Sequence, residues 1–192
     1  MARCVEFNEV EKIEKAMNVF WEKGYNATSM QDLVDAMQIN RSSLYNTIGD
    51  KHQLFMKCIG YYFNEAMCEL KEKVAKETSA KQAIIKVISD KADWIVSCDK
   101  GCLGIKTSFE IAPEDTIVRN VMSKNNDIFI EFMTTIVQKA MDDGEMDNTE
   151  DAALMAEYIA TSFTGWEQSY ILHGNPIKIK KMSEFLIKNI FK

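Results

Sequence analysis

Helix breakers are scarce in this chain: its 192 residues include two prolines, Pro113 and Pro176, and eight glycines. So few interruptions exclude a turn-rich all-β architecture and leave room for long helices. No apolar run approaches the roughly 18 residues that a membrane span needs, so no membrane partner is expected. The start, "MARCVEFNEVEKIEKA", lacks the apolar stretch of a secretory signal, and the expected location is the cytoplasm. Five cysteines, Cys4, Cys58, Cys68, Cys98 and Cys102, make an odd set at irregular spacing, which argues for reduced thiols over a disulfide framework. Histidine is rarer still, with only His52 and His173. Cys98 and Cys102 therefore lack the further ligands that a zinc site requires, and neither a metal nor another cofactor is expected. Positive charge is also in deficit, at a net −6, and the first 52 residues hold six Lys/Arg against eight Asp/Glu. A nucleic-acid reader of this composition has to rely on locally placed charges.

What is present is helical periodicity. Val10, Ile13, Ala16, Met17 and Phe20 recur at spacings of three and four and predict a first helix that stops near Gly24. "ATSMQDLVDAM" then offers Thr28 or Ser29 as a cap, Gln31 or Asp32 three residues later, and an apolar stripe of Met30, Leu33, Val34 and Met37. A third, short helix, "RSSLYNTI", follows Asn40 and runs into the Gly49-Asp50 break. Further helices are predicted from Asp50 through "KHQLFMKCIGYYFNEAMCELKEKVAKE", and at about 80–98, 102–111, 116–142, 149–172 and 176–191. The fold class is all-α, with about nine helices.

On the third helix Leu44 and Ile48 lie four apart and form one apolar edge, while Ser42, Ser43, Asn46 and Thr47 take the other. Arg41 and Tyr45 flank the polar face, and Lys51 opens the next helix. Asn pairs with adenine, Arg with guanine or phosphate, and Ser, Thr and Tyr with phosphate or base edges, so this face suits a DNA groove. Two short helices joined by "QIN" make a helix-turn-helix. The same pattern also occurs in bundles whose polar face is merely wet.

The order "EKGYNATSMQDLVDAMQINRSSLYNTIGDKHQLF" resembles the N-terminal signature of the TetR family of regulators, over about 45 residues from Ile13 to Phe55. The resemblance implies an N-terminal DNA-binding domain at 1–49 and an effector-binding and dimerisation domain at 50–192. It implies phosphate contacts from Thr28, Ser29, Tyr45 and Lys51, a recognition helix opening at Asn40, Arg41, Ser42 and Ser43, and base-reading positions at Asn46 and Thr47. Gln38 and Ser42 stand where the family often has Gly, Val34 where it has Ala, and Ile48 where it has Phe. The usual basic approach to the first helix is replaced by a segment holding Glu6, Glu9, Glu11 and Glu14, expected to point away from DNA.

For the rest of the chain the resemblance implies a homodimer through the last two helices, a double-stranded DNA operator as partner, and a small apolar or electrophilic effector. Trp94, Phe109, Met122, Phe129, Phe132, Met133, Trp166 and Tyr170 are an apolar stock from which a pocket could be lined, most of them equally suited to plain core. "SCDKGCLGIKTSFEIAPED", Ser97 to Asp115, resembles the sixth-helix region of a TetR subgroup whose Gly-Cys-Leu cysteine senses electrophiles or oxidants. Cys102 corresponds to that cysteine, and Cys98 could resolve an oxidised form of it. The competing reading is a small buried hydrophobe. No Glu-x-x-His pair, Gly-rich phosphate loop or Gly-x-Ser-x-Gly elbow occurs, so no catalytic residue is expected. The reading reached is a repressor released by a small molecule or by thiol modification; the alternative is a helical adaptor that binds another protein and leaves the Arg41–Thr47 face without a purpose.

Overall fold

The structure is a computed structural model that describes residues 9–147 and 149–191, apart from the side chains of Ser43, Asn46 and Thr47. Among the described residues are nine helices: α1 (Glu9–Lys23), α2 (Met30–Met37), α3 (Arg41–Thr47), α4 (Lys51–Val74), α5 (Ala80–Ser97), α6 (Leu103–Glu110), α7 (Thr116–Asp142), α8 (Ala152–His173) and α9 (Pro176–Ile190). No strand occurs among them, and none of the helices is long and apolar enough to cross a membrane.

Local chemistry sets most boundaries. Gly24 adopts φ 82°, a left-handed conformation that ends α1 and that side chains other than glycine's resist. Ser29 caps α2 through the Asp32 backbone N–H, and the Asp32 carboxylate accepts the Ser29 N–H in return, so the capping box uses Ser29 with Asp32. Gln38 then closes α2 at φ 53° and ψ 46°, which gives a physical sense to the glycine that the resemblance leads one to expect there. A left-handed non-glycine costs roughly 1–2 kcal/mol, here offset by the Gln38 N–H bonding back to the last turn of α2. Ser79, Asp151 and Asn175 cap α5, α8 and α9, and Pro176 occupies the first turn of α9, where its missing N–H costs nothing.

Contacts gather the chain into two compact units, one of residues 1–65 and 103–119, the other of residues 66–102 and 120–192. In the first, Ala16 and Phe20 of α1, Leu33 and Met37 of α2, Leu44 of α3, and Leu54, Phe55, Cys58 and Ile59 of α4 are almost wholly buried. Burying a Leu, Ile or Phe side chain stabilises by roughly 1.5–3 kcal/mol, so this small core holds the short helices that propensity alone would leave frayed. α6 belongs to this unit, a grouping that no linear boundary at residues 49 and 50 expresses.

The second unit has its own core. Ile84, Ile88 and Ile95 of α5, Met133 and Val137 of α7, Ala156, Ile159 and Phe163 of α8, and Ile179 and Leu186 of α9 cluster there. The Tyr170 hydroxyl donates to the Val96 carbonyl at 3.1 Å and pins the end of α8 to that of α5.

Candidate functional site

In the first unit Leu44 of α3 and Ile48 just after it are buried, and Arg41, Ser42 and Tyr45 of α3 are exposed. The helix thus lies with its apolar edge on the core and with Arg41, Ser42 and Tyr45 outward, as the four-residue spacing of Leu44 and Ile48 requires. Ser43, Asn46 and Thr47 belong to the same helix, but their side chains lie outside the described residues. Asn40 and Ser29 are exposed. Thr28 is not: it is 2% exposed and its hydroxyl donates to the Gly24 carbonyl at 2.6 Å. The structure therefore corrects the reading of the Thr28 side chain as a phosphate contact, because that hydroxyl is spent inside the turn. Glu9 and Glu11 lie on the exposed start of α1, and Glu6 lies outside the described residues.

Lys51 is placed by an aromatic neighbour. Its Nζ lies 4.5 Å from the centroid of the Tyr25 ring, a cation–π contact that also packs the lysine stem. Partial burial lowers the Lys51 pKa, and the charge of Glu110 acts in the opposite direction. Tyr25 itself stacks on Phe20 and leans on Phe55 at 4.8 Å. The turn after α1 is thereby built into the core, and the lysine is held against it.

Glu110, at the end of α6, completes this turn. Its two carboxylate oxygens accept the backbone N–H groups of Tyr25, at 3.1 Å, and Asn26, at 2.8 Å. A Cβ on Gly24 would lie 3.0 Å from the same carboxylate, so Gly24 suits this close approach as well as its left-handed φ. Lys106 of α6 reaches the Trp21 carbonyl at 3.1 Å. Hydrogen bonds to charged groups contribute about 1.5–3 kcal/mol each. Glu110→Ala is accordingly expected to raise amide exchange at Tyr25 and Asn26 by roughly ten- to a hundredfold. Unchanged protection in a hydrogen-exchange experiment would show that the carboxylate carries no part of the turn's stability.

Asp115, before α7, accepts the backbone N–H groups of Ile117 and Val118 and meets His52 Nε2 at 2.8 Å. The bond from Val118 and the neighbouring His52 hold its pKa below the ordinary value of 3.8. Asp32 is likewise depressed, by Lys23 and by the bonds from Ser29. A depressed folded-state pKa gives stability that is present above the unfolded value and lost as pH falls through the folded one. The first unit is therefore expected to lose stability below about pH 4, and Asp115→Asn should flatten that acid limb in a denaturant series. An equally steep limb in the variant would remove Asp115 as its cause.

In the second unit the predicted pocket residues divide. Met133 and Trp166 are buried, while Trp94, Cys98, Cys102, Phe129 and Tyr170 are half-buried. Phe163, absent from the predicted set, links two of them: its ring lies 5.5 Å from Trp166 and 6.4 Å from Phe129. Phe109 does not join them. It sits in the first unit, 73% exposed, because α6 buries Leu103, Gly104 and Thr107 and Phe109 falls on the opposite side. Cys58 is buried, and desolvation pushes its thiol up to about 12, so it is a core residue and not a reactive one. Among the described residues no group of three His, Cys, Asp or Glu is placed to hold a metal ion.

Glu110 and Glu167 are functional candidates that the sequence reading missed. Glu110 meets partners more than 80 residues away and leaves no local signal. Glu167 did leave one, as a lone acid between the aromatics of α8, four residues after Phe163 and three before Tyr170.

Comparison with known proteins gives two matches along the chain. Residues 13–58 match the model of bacterial regulatory proteins of the tetR family, and residues 80–186 match the C-terminal domain of Tetracyclin repressor-like proteins. The chain is 27% identical over 165 residues to the HTH-type transcriptional regulator YezE of Bacillus subtilis, which covers 84% of this chain and 85% of that one. Its fold is similar to that of the reduced form of Escherichia coli NemR, with a TM-score of 0.87 at 13% identity, covering 95% of this chain and 96% of that one. It is also similar to a cysteine mutant of the TetR family regulator CifR complexed with 26-bp double-strand operator DNA, with a TM-score of 0.82 at 22% identity and coverages of 95% and 97%. With its helix-turn-helix and its C-terminal helical region both matched, this chain belongs to the TetR family and is a DNA-binding transcriptional regulator.

Proposed function

We propose that the chain acts as a homodimeric repressor whose α3 enters the major groove of a two-fold operator, and that an effector held by the second unit releases it. The observation that carries the DNA-binding half is the exposed edge of Arg41, Ser42 and Tyr45 over the buried Leu44 and Ile48, with Lys51 anchored on Tyr25. Arg41, Tyr45, Lys51 and Ser29 supply backbone contacts, and Asn40, Ser42, Ser43, Asn46 and Thr47 are the positions left to read or fit the groove. The operator complex of CifR supports the same use of the fold, and the match to the repressor ComR of Escherichia coli supports repression over activation.

Dimerisation is assigned to α8 and α9. Leu154, Tyr158, Ile171, Leu172, Ile177 and Phe185 are all more than half exposed there. A groove of about 600 Å³ runs between the two helices, lined by Tyr158, Trp166, Met182 and Phe185 among others. So much exposed apolar surface calls for a partner, and a two-fold operator calls for a second copy of the chain.

Release is assigned to the region of Trp94, Phe129, Met133, Trp166 and Tyr170, with Cys102 as the thiol to test. Cys102 precedes α6 and is half-buried, and the Cys98 Sγ faces the Gly101 carbonyl at 3.8 Å. The reduced form described for NemR and the cysteine mutants described for CifR motivate that choice.

The test is anisotropy titration of the reduced protein against DNA flanking its own gene, with excess random DNA and varied salt. Saturable binding that survives the competitor, and falls on adding a thiol reagent to the native chain but not to Cys102→Ser, supports the whole reading. Binding lost equally to any DNA would overturn sequence-specific reading of that DNA by α3.

A further inference from the structure

Glu167 is an acidic side chain, 3% exposed and only half satisfied. Its Oε1 accepts the backbone N–H of Cys102, while Oε2 is enclosed and, among the described residues, has no hydrogen-bond partner. A buried carboxylate oxygen without a donor is costly, and one backbone N–H does not neutralise the group. An apolar residue of similar size would suit the interior of the second unit better unless the carboxylate has something to bind.

Its surroundings indicate what. On α8 Glu167 shares a face with Phe163 four residues before and Tyr170 three residues after. Trp166 packs on Phe163 at 5.5 Å, and the Tyr170 hydroxyl is already committed to Val96. Aromatic faces attract organic cations, and a carboxylate bonds their N–H groups. A neutral apolar molecule would leave Oε2 unmatched, and an anion would be repelled.

On the reading that the second unit holds an effector, we propose that Glu167 is the group that recognises it, and that the effector is an organic amine, protonated, with an aromatic or apolar body. Oε2 accepts an ammonium N–H and the neighbouring rings pack on the body. The Cys102 N–H fixes the carboxylate through Oε1, so Cys102 acts on this ligand as a positioning residue through its backbone N–H.

Three compounds of matched body test the head group: tryptamine, tryptophol and indole-3-acetate, as ammonium, alcohol and carboxylate. Titrated into the protein by calorimetry, tryptamine is expected to bind at least thirtyfold more tightly than tryptophol, and the acid least. Truncating one partner of a buried charged pair costs 2–5 kcal/mol or more, which at 25 °C is about thirtyfold and upwards. Glu167→Gln retains the acceptor for the Cys102 N–H but not the charge. It should abolish the preference for the amine while leaving the Tm of the unliganded protein equal or higher. A purely structural role predicts the reverse, a lower Tm and no change in selectivity. Equal affinities for the three compounds, no binding by any, or an amine preference that survives in Glu167→Gln would each overturn the proposal. Release from DNA by a compound indifferent to Glu167 would overturn it as well, yet leave the effector reading of the second unit standing.

Discussion

Phe185→Arg is expected to give a folded monomer that has lost nearly all affinity for an operator. Phe185 is 67% exposed on α9, so the substitution removes little from the core, and exposed changes of this kind usually alter stability by less than about 0.5 kcal/mol. In a two-fold dimer it counts twice. Each Phe withdrawn from an apolar interface forfeits roughly 1.5–3 kcal/mol. The new guanidinium joins Lys178 and Lys181 on the same groove and would have to be buried against their symmetric copies. DNA binding then falls with the dimer, because two linked reading heads gain roughly a hundred- to ten-thousandfold over one through effective concentration alone. Analytical ultracentrifugation with circular dichroism checks the first half, and anisotropy checks the second. A variant that stays dimeric would move the interface away from α8 and α9.

Lys51→Met carries the other large effect. If Lys51 holds one phosphate in each half-site, losing two charged hydrogen bonds at about 1.5–3 kcal/mol each weakens the complex by roughly two to four powers of ten. The slope of log affinity against log salt should also shrink by about two, one for each phosphate released. Both losses should be nearly uniform across DNA sequences, since a phosphate contact reads no base. Tyr45→Phe removes a neutral donor instead, and is expected to weaken binding more modestly with the salt slope intact. Methionine keeps the apolar stem on the Tyr25 ring, which separates charge from packing. A Lys51→Met protein with an unchanged salt slope would remove this lysine from the DNA interface.

These outcomes bear on a site that was only partly legible beforehand. The spacing of Leu44 and Ile48 was enough to orient α3, because a residue four further on returns to the same side of any α-helix. A cap at Thr28 or Ser29 was equally readable, since the rule that places Ser or Thr before an apolar stripe with a polar or acidic residue three residues later is local. The choice between Thr28 and Ser29 was not. It turns on the backbone entering α2 in an extended conformation at Ser29, while Thr28 folds back to bond Gly24. Phe109 misled for a related reason: composition marks it as apolar, but the buried side of α6 is decided by Leu103, Gly104 and Thr107 acting together.

By itself the sequence determined what depends on neighbours along the chain. The approximate number and bounds of the helices, the apolar edge of α3 and the family signature all rest on spacings of a few residues. Only the tertiary structure decided where distant residues meet. It set the Glu110 carboxylate on the turn after α1, drew α6 into the unit that carries α3, and left one buried oxygen of Glu167 without a donor among the described residues. Each of those depends on backbone groups brought together across more than 60 residues of chain. No periodicity records such a meeting, because an unsatisfied N–H or a buried carboxylate exists only once the core has closed around it.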